Sequence, residues 1–192
     1  MKKQPIRVGF DLDGVILYNP ARIVRPLIAF YKKFFFKKKV LKFYYPHSSF
    51  EKTIWKLVHK SSIFIAPGLN DIKQLVKRKK IKAYIVTARY GFMGKELVAW
   101  FKKNELDLIF SELYYNKHDD QPHIFKERMI KKLKLDFFVE DNYDIVQHIG
   151  KSTKAKAVWI YNLFDRGIHY PYKMPYLQKA VTYIREHNDK KK

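Results

Sequence analysis

Asp11 and Asp13 stand two residues apart in Phe10-Asp11-Leu12-Asp13-Gly14-Val15. They close Ile6 to Phe10, an apolar run with β-branched members that reads as a buried strand. Carboxylates at the end of such a strand are costly to desolvate unless something binds them, and a divalent cation does so naturally. Gly14 permits the chain to turn sharply away. By itself the hexapeptide also fits an Asx-type turn with solvated aspartates. Two other runs end in polar groups of the same kind. Lys82 to Val86 ends at Thr87-Ala88-Arg89, and Asp136 to Val139 ends at Glu140-Asp141.

These groups need elements to hold them. Ala155 to Tyr161 is a fourth strand candidate, and Leu108 to Tyr115 a weaker fifth. Helical patterns lie between the runs: Asn70 to Lys79, Met93 to Lys103, Ile124 to Leu133, and Tyr143 to Ile149 with a stop expected at Gly150. Strands alternating with helices imply an α/β fold, a Rossmann-like parallel sheet with helices on both faces. Asp11, Thr87, Glu140 and Asp141 then fall at the C-terminal ends of strands, where open α/β sheets bind ligands.

Residues 17–66 break the alternation. They are rich in Phe, Tyr and Trp and strongly basic, with Glu51 their only acid. We expect a small, mainly helical cap there, inserted after the first strand, with residues 1–16 and 67–192 forming the core. The tail Lys190-Lys191-Lys192 is expected to fray.

Hydrophobic residues make up 47% of the 192-residue chain, enough for a real core. There is no cysteine, which removes disulfides and thiolate metal sites and suggests a reducing, cytoplasmic setting. Met1-Lys2-Lys3 resembles the start of a signal peptide, but Asp11 and Asp13 interrupt the apolar stretch that follows. No run is long enough to span a bilayer, so no membrane partner is expected. The net charge of +22, from 40 Lys+Arg against 18 Asp+Glu, would attract polyanions such as nucleic acid; a lysine-rich solvated surface accounts for it equally well.

With Asp-Leu-Asp-Gly-Val, Thr87-Ala88-Arg89, Lys126 and Glu140-Asp141 in this order, the core resembles the haloacid dehalogenase (HAD) superfamily of phosphohydrolases. The resemblance covers about residues 6–15 and 67–162. It implies Asp11 as the nucleophile that forms an aspartyl-phosphate, and Asp13 as the general acid/base whose backbone carbonyl also reaches the metal. It implies Thr87 as hydroxyl donor to a phosphoryl oxygen and Lys126 as the neutralising cation. Asp141 would bind the metal directly and Glu140 through water. The expected metal is Mg²⁺, which suits hard oxygen ligands. An acid at position 13 sets the chain apart from the dehalogenases and favours phosphate-ester hydrolysis or phosphomutase chemistry.

Several residues compete for roles. Lys117 rivals Lys126, which is preferred for lying 14 positions before Glu140. Asp119 and Asp120 read as a solvated turn or helix cap. Asp144 fits either the metal shell or a hydrogen bond in the first helical turn. Arg89 would either contact substrate or pair with an active-site acid. Asn162 and Arg166 read as structural loop residues. The seven histidines show no metal-ligand spacing.

The motif set most resembles the 5′(3′)-deoxyribonucleotidase-like branch, which implies a small phosphorylated substrate such as a nucleotide. Tyr18 and Arg22, with Ala88 and Arg89, are the candidate substrate contacts. Aromatic side chains of the cap could stack a base, although a cap core of its own accounts for most of them. Two alternatives stand beside this reading: a phosphatase acting on nucleic-acid ends, and a non-catalytic basic nucleic-acid-binding protein on the same core.

Overall fold

In the computed structural model, which describes residues 4–18, 43–60 and 64–190, β1 (Ile6–Phe10) lies inside the sheet, between two parallel neighbours. A strand with neighbours on both sides and helices on both faces is apolar along most of its length. Val8 and Phe10 are fully buried for that reason. On one side β1 pairs with β4 (Ile81–Tyr90), which pairs in turn with β5 (Leu113–Asn116). On the other it pairs with β6 (Phe137–Glu140), followed by β7 (Lys156–Ile160) and β8 (Lys173–Met174). The order is β5-β4-β1-β6-β7-β8 and all pairings are parallel.

Alternate residues of these strands feed two separate cores. Val8, Phe10, Ile85, Val139 and Val158 face α2 (Leu69–Lys77), α3 (Gly94–Lys103) and the C-terminal α6 (Leu177–Lys190). Val86, Phe138 and Trp159 face α4 (Pro122–Leu133) and α5 (Tyr143–Ser152). The expected α/β sheet with helices on both faces is therefore the fold of the protein.

Several elements differ from expectation, the strand expected over Leu108 to Tyr115 being confined to Leu113–Asn116. β4 continues past Thr87 to Tyr90, with a register shift between those two residues. α5 passes through Gly150, which does not adopt the positive φ of a C-terminal stop, and ends at Ser152. β8 and α6 were not anticipated. The apolar spacing Leu177, Ala180, Val181, Ile184 is a clear helical stripe, and all four are buried.

The chain leaves the core at β2 (Leu17–Tyr18) and returns at β3 (Phe64–Ile65), which pair antiparallel. Ala66 N–H donates to Ile16 O at 2.8 Å just inside this ribbon. Between them α1 (Ser49–Lys60) begins with a reciprocal cap. Glu51 N–H donates to Ser48 Oγ at 3.1 Å, while Ser48 N–H and His47 N–H donate to Glu51 Oε2, each at 2.8 Å. Lys56 ties α1 to Glu96 of α3 at 2.9 Å.

Candidate active site

The chain bends sharply after β1 because Gly14 adopts φ +83°, a conformation that side chains disfavour. Gly14 N–H donates to Leu17 O at 2.7 Å, closing a tight loop over the sheet's C-terminal edge. The loop presses against the end of β6. A Cβ on Gly14 would lie 2.2 Å from Asp141 Oδ2, so only glycine allows this approach.

Asp11 is held on three sides. Its N–H donates to Val139 O at 2.9 Å, and its Oδ1 accepts from Leu12 N–H at 2.8 Å. Its Oδ2 lies 2.9 Å from Lys126 Nζ. Lys126 rises from α4 and also meets Glu140 Oε2 at 2.6 Å. The other oxygen of Glu140 accepts from Asn142 N–H at 3.0 Å and Asp141 N–H at 3.2 Å. Asn142 in turn caps α5, its side chain accepting from Asp144 and Ile145 N–H. Trp159 Nε1 donates to Asp141 O at 3.2 Å and steadies the loop from below.

Asp11, Glu140 and Asp141 are all buried, and one ligand oxygen from each falls within 4.8 Å of the others. Burial, joined by the neighbouring carboxylates of Asp141 and Asp13, raises the Asp11 carboxyl despite Lys126. Burial pushes Glu140 up to about 8. Burial disfavours the Lys126 ammonium, but Asp11 and Glu140 more than offset this and hold it charged. One ammonium thus serves two buried carboxyls with a third beside them. The set is short of positive charge, and its donors are all oxygen. A hard divalent cation fits both facts.

Asp13 has a different environment. Arg89, on the bulged end of β4, grips it with both arms: Nε to Oδ2 at 2.8 Å and Nη2 to Oδ1 at 2.7 Å. Burial alone would raise this carboxyl, but Arg89 and then His59 hold it well below the usual carboxylate range. His59, from the last turn of α1, puts Nδ1 3.3 Å from Asp13 Oδ2 without hydrogen-bond geometry. Arg89 Nη2 also donates to His59 O at 3.4 Å.

The structure thus brings Asp11, Asp13, Glu140, Asp141, Lys126 and Arg89 to one rim, with Thr87 buried at the same end of β4. Thr87 Oγ1 accepts from Arg89 N–H at 3.3 Å. Ala88 lies beside it, half-buried. Lys117 is elsewhere, its Nζ over the Tyr115 ring. Asp144 is exposed in the first turn of α5 and outside the carboxylate group. Tyr18 is half exposed on the ribbon, and Arg22 lies outside the described residues. Asn162 and Arg166 flank a short turn after β7.

Asp119 and Asp120 are not merely solvated. Asp119 accepts from Tyr45 O–H at 2.9 Å and from Gly91 N–H at 2.8 Å, so it ties Tyr45 to the end of β4. Asp120 pairs with Arg128 at 2.5 Å. His59 is the residue that sequence reasoning missed. Its neighbours in the chain carry no motif, and only the docking of α1 brings it to Asp13.

No family model matches the chain. A protein of Oceanobacillus iheyensis, provisionally named a nucleotidase, is 26% identical over 88 residues; the match covers 46% of this chain and 45% of that protein. The chain thus matches less than half the length of this curated relative. Solved structures align over nearly the whole chain. A HAD-superfamily hydrolase from Ehrlichia chaffeensis matches with TM-score 0.54 at 15% identity, covering 97% of this chain and 98% of the other. A HAD hydrolase of family IA, variant 3, from Entamoeba histolytica matches at 0.59 and 12%, covering 94% and 99%. A variant of CbbY from Rhodobacter sphaeroides, solved with xylulose-1,5-bisphosphate, matches at 0.57 and 11%, covering 90% and 95%. With this sheet order and these structural relatives, the chain has the haloacid dehalogenase fold.

Proposed function

We propose that the protein is a Mg²⁺-dependent phosphomonoester hydrolase that acts through an aspartyl-phosphate at Asp11. The observation that carries this is the position of Asp11. It is a buried carboxylate at the end of a central strand, backed by Lys126, with Glu140 and Asp141 alongside. An Asp11 oxygen attacks phosphorus as the ester P–O bond breaks, and Asp13 protonates the departing oxygen. Water then attacks the phosphorus of the aspartyl-phosphate and gives its proton to Asp13. Inorganic phosphate leaves and the Asp11 carboxylate is restored. Thr87 donates its hydroxyl to a phosphoryl oxygen, and Lys126 offsets charge on Asp11 and the phosphoryl group. Asp11, Asp141 and the Asp13 carbonyl would hold Mg²⁺ directly, with Glu140 behind them. The ion would neutralise charge on the phosphoryl oxygens.

Residues 17–66 would form the cap that shapes the substrate site, entered and left through the β2–β3 ribbon. The preferred substrate is a nucleotide or another small phosphorylated metabolite. The provisional nucleotidase name of the Oceanobacillus relative supports the first, and the ligand of the CbbY variant fits the second. The net charge of +22 favours phosphorylated nucleic-acid ends as a second reading.

The decisive experiment is hydrolysis of a generic aryl phosphate with and without Mg²⁺, in the native protein and in Asp11→Asn. Activity that needs the metal and disappears in the variant is expected. Activity that survives in Asp11→Asn would end the nucleophile assignment. A panel of nucleoside monophosphates, sugar phosphates and 3′- or 5′-phosphorylated oligonucleotides then separates the substrate classes.

A further inference from the structure

The grip of Arg89 on Asp13 conflicts with the work assigned to Asp13. Both carboxylate oxygens are turned to guanidinium N–H groups, at 2.8 and 2.7 Å. A two-armed pair of this kind is the most directional ion pair that side chains form. A carboxyl that gives a proton to a leaving oxygen, and later takes one from water, must turn an oxygen toward the substrate. While Arg89 holds both, the orientation of the carboxyl is fixed by the guanidinium, and the better-placed lone pair of each oxygen is turned away from any substrate. The gripped state and the working state are therefore different states of the site.

Arg89 in turn cannot simply let go. Its side chain is only 11% exposed, and a guanidinium so placed needs a counter-anion. Besides Asp13, the carboxylate that acts on it is Asp11, which is already committed to Lys126 and Leu12 N–H. A new anion reaches this rim when a phosphorylated ligand does.

We propose that Arg89 is a substrate-operated latch, which grips Asp13 in the ligand-free protein and passes to an anionic phosphoryl group of the incoming substrate, freeing Asp13 to act. The inference rests on the hydrolase reading above and deepens it. The latch sits where it can meet that group, two residues beyond Thr87 on the irregular end of β4. It also reaches the insert, because Nη2 donates to the His59 carbonyl at the end of α1. Passing the guanidinium to substrate therefore loosens one tie between α1 and the core. His59 Nδ1, buried and without a hydrogen bond, is the group left facing Asp13 when the guanidinium departs. The anion is either the phosphoryl group being transferred or a second phosphate on the leaving group, and the two can be separated.

The test is NMR of the full chain carrying Asp11→Asn and ¹⁵N-labelled arginine, with Arg89→Lys used to assign the Arg89 Nε–H signal. Inorganic phosphate and fructose-1,6-bisphosphate are titrated separately in the presence of Mg²⁺. A saturable displacement with inorganic phosphate, whether or not the bisphosphate also gives one, assigns the latch to the transferred group. A displacement with the bisphosphate only assigns it to a second phosphate. In either case Asp13→Asn, which lacks the gripped state, should show the signal displaced before any ligand is added. An Arg89 signal that neither probe moves at any concentration overturns the latch. The hydrolase reading is judged apart from this, by aryl phosphate turnover. Turnover with a stationary Arg89 sinks the latch alone, and a ligand-sensitive Arg89 without turnover sinks the hydrolase alone.

Discussion

Lys126 Nζ lies 2.6 Å from Glu140 Oε2, and both side chains are sealed from solvent, at 2% and 1% exposure. The same ammonium reaches Asp11 at 2.9 Å. Removing Lys126 leaves its buried partners without their counter-charge, a loss that is largest above about pH 8, where Glu140 is ionised. Lys126→Met should therefore destabilise the protein by about 3–5 kcal/mol, read from urea unfolding. Adding Glu140→Gln to Lys126→Met should restore a large part of that loss. A double variant no more stable than the single one would show that Lys126 acts mainly through Asp11.

Glu140 also sets a pH dependence. Burial raises its carboxyl to about 8, against an ordinary value of 4.5. Between those values the folded protein keeps a proton that the unfolded chain has lost. The contribution is complete below about pH 4.5, declines as pH rises, and is gone above about pH 8. One proton gives a slope of at most about 1.4 kcal/mol per pH unit. Metal-free protein should lose stability on this slope across the window, and Glu140→Gln should flatten it. Saturating Mg²⁺ should also oppose the loss, by taking the place of the proton. Chemical unfolding at stepped pH, with chelator and with Mg²⁺, measures all three.

Gly14 and Asp141 predict a steric effect. A Cβ at position 14 would come 2.2 Å from Asp141 Oδ2, at a backbone φ of +83°. Gly14→Ala should therefore shift the loop or Asp141 itself. The expected result is a stability loss of about 1 kcal/mol or more, and aryl phosphatase activity lowered by about a hundredfold or more through displacement of the ligand set. Asp141→Ala in the same chain should recover part of the stability and none of the activity. No recovery of stability would place that loss in backbone strain at position 14.

The strand ends were legible because a buried parallel strand writes itself as an apolar run, and the polar residue that ends it is conspicuous. Asp11, Thr87 and Glu140-Asp141 stand out in this way. Lys126 was legible through its spacing to Glu140, which leaves room for the rest of one helix and one strand. What a single sequence hides is contact between distant segments. Arg89 could be read as facing substrate or an acid, and only the folded arrangement of β4 beside the Asp13 loop puts its guanidinium on Asp13. His59 depends on the docking of a helix whose apolar residues Phe50, Ile54, Leu57 and Val58 are exposed, so the apolar spacing does not say which face meets the core. Asp119 looked like a turn residue because its local chemistry suits one. Its φ of +55° agrees with that, while its partners Tyr45 and Gly91 come from other parts of the chain.

Those partners make Asp119 the anchor of the segment that leads into α1. Its carboxylate accepts from the Tyr45 hydroxyl and the Gly91 N–H, and two residues on Gln121 pairs with the backbone of Phe43 in both directions. Tyr90 O–H adds a bond to Tyr44 O at 2.9 Å. Together these hold residues 43–45 against the end of β4, and so fix where α1 starts. Asp119→Asn keeps the left-handed backbone tolerable and an oxygen for one donor, but weakens the charged acceptor. Asp119→Ala removes both bonds and adds backbone strain, at a cost of about 2–3 kcal/mol. Limited proteolysis should cut the alanine variant faster in the segment 43–48, the asparagine variant falling between it and the native protein. Because α1 also carries His59 to Asp13, the alanine variant should lose more activity than its global stability explains. Equal proteolysis of all three proteins would show that the Gln121 and Tyr90 bonds suffice to hold the segment.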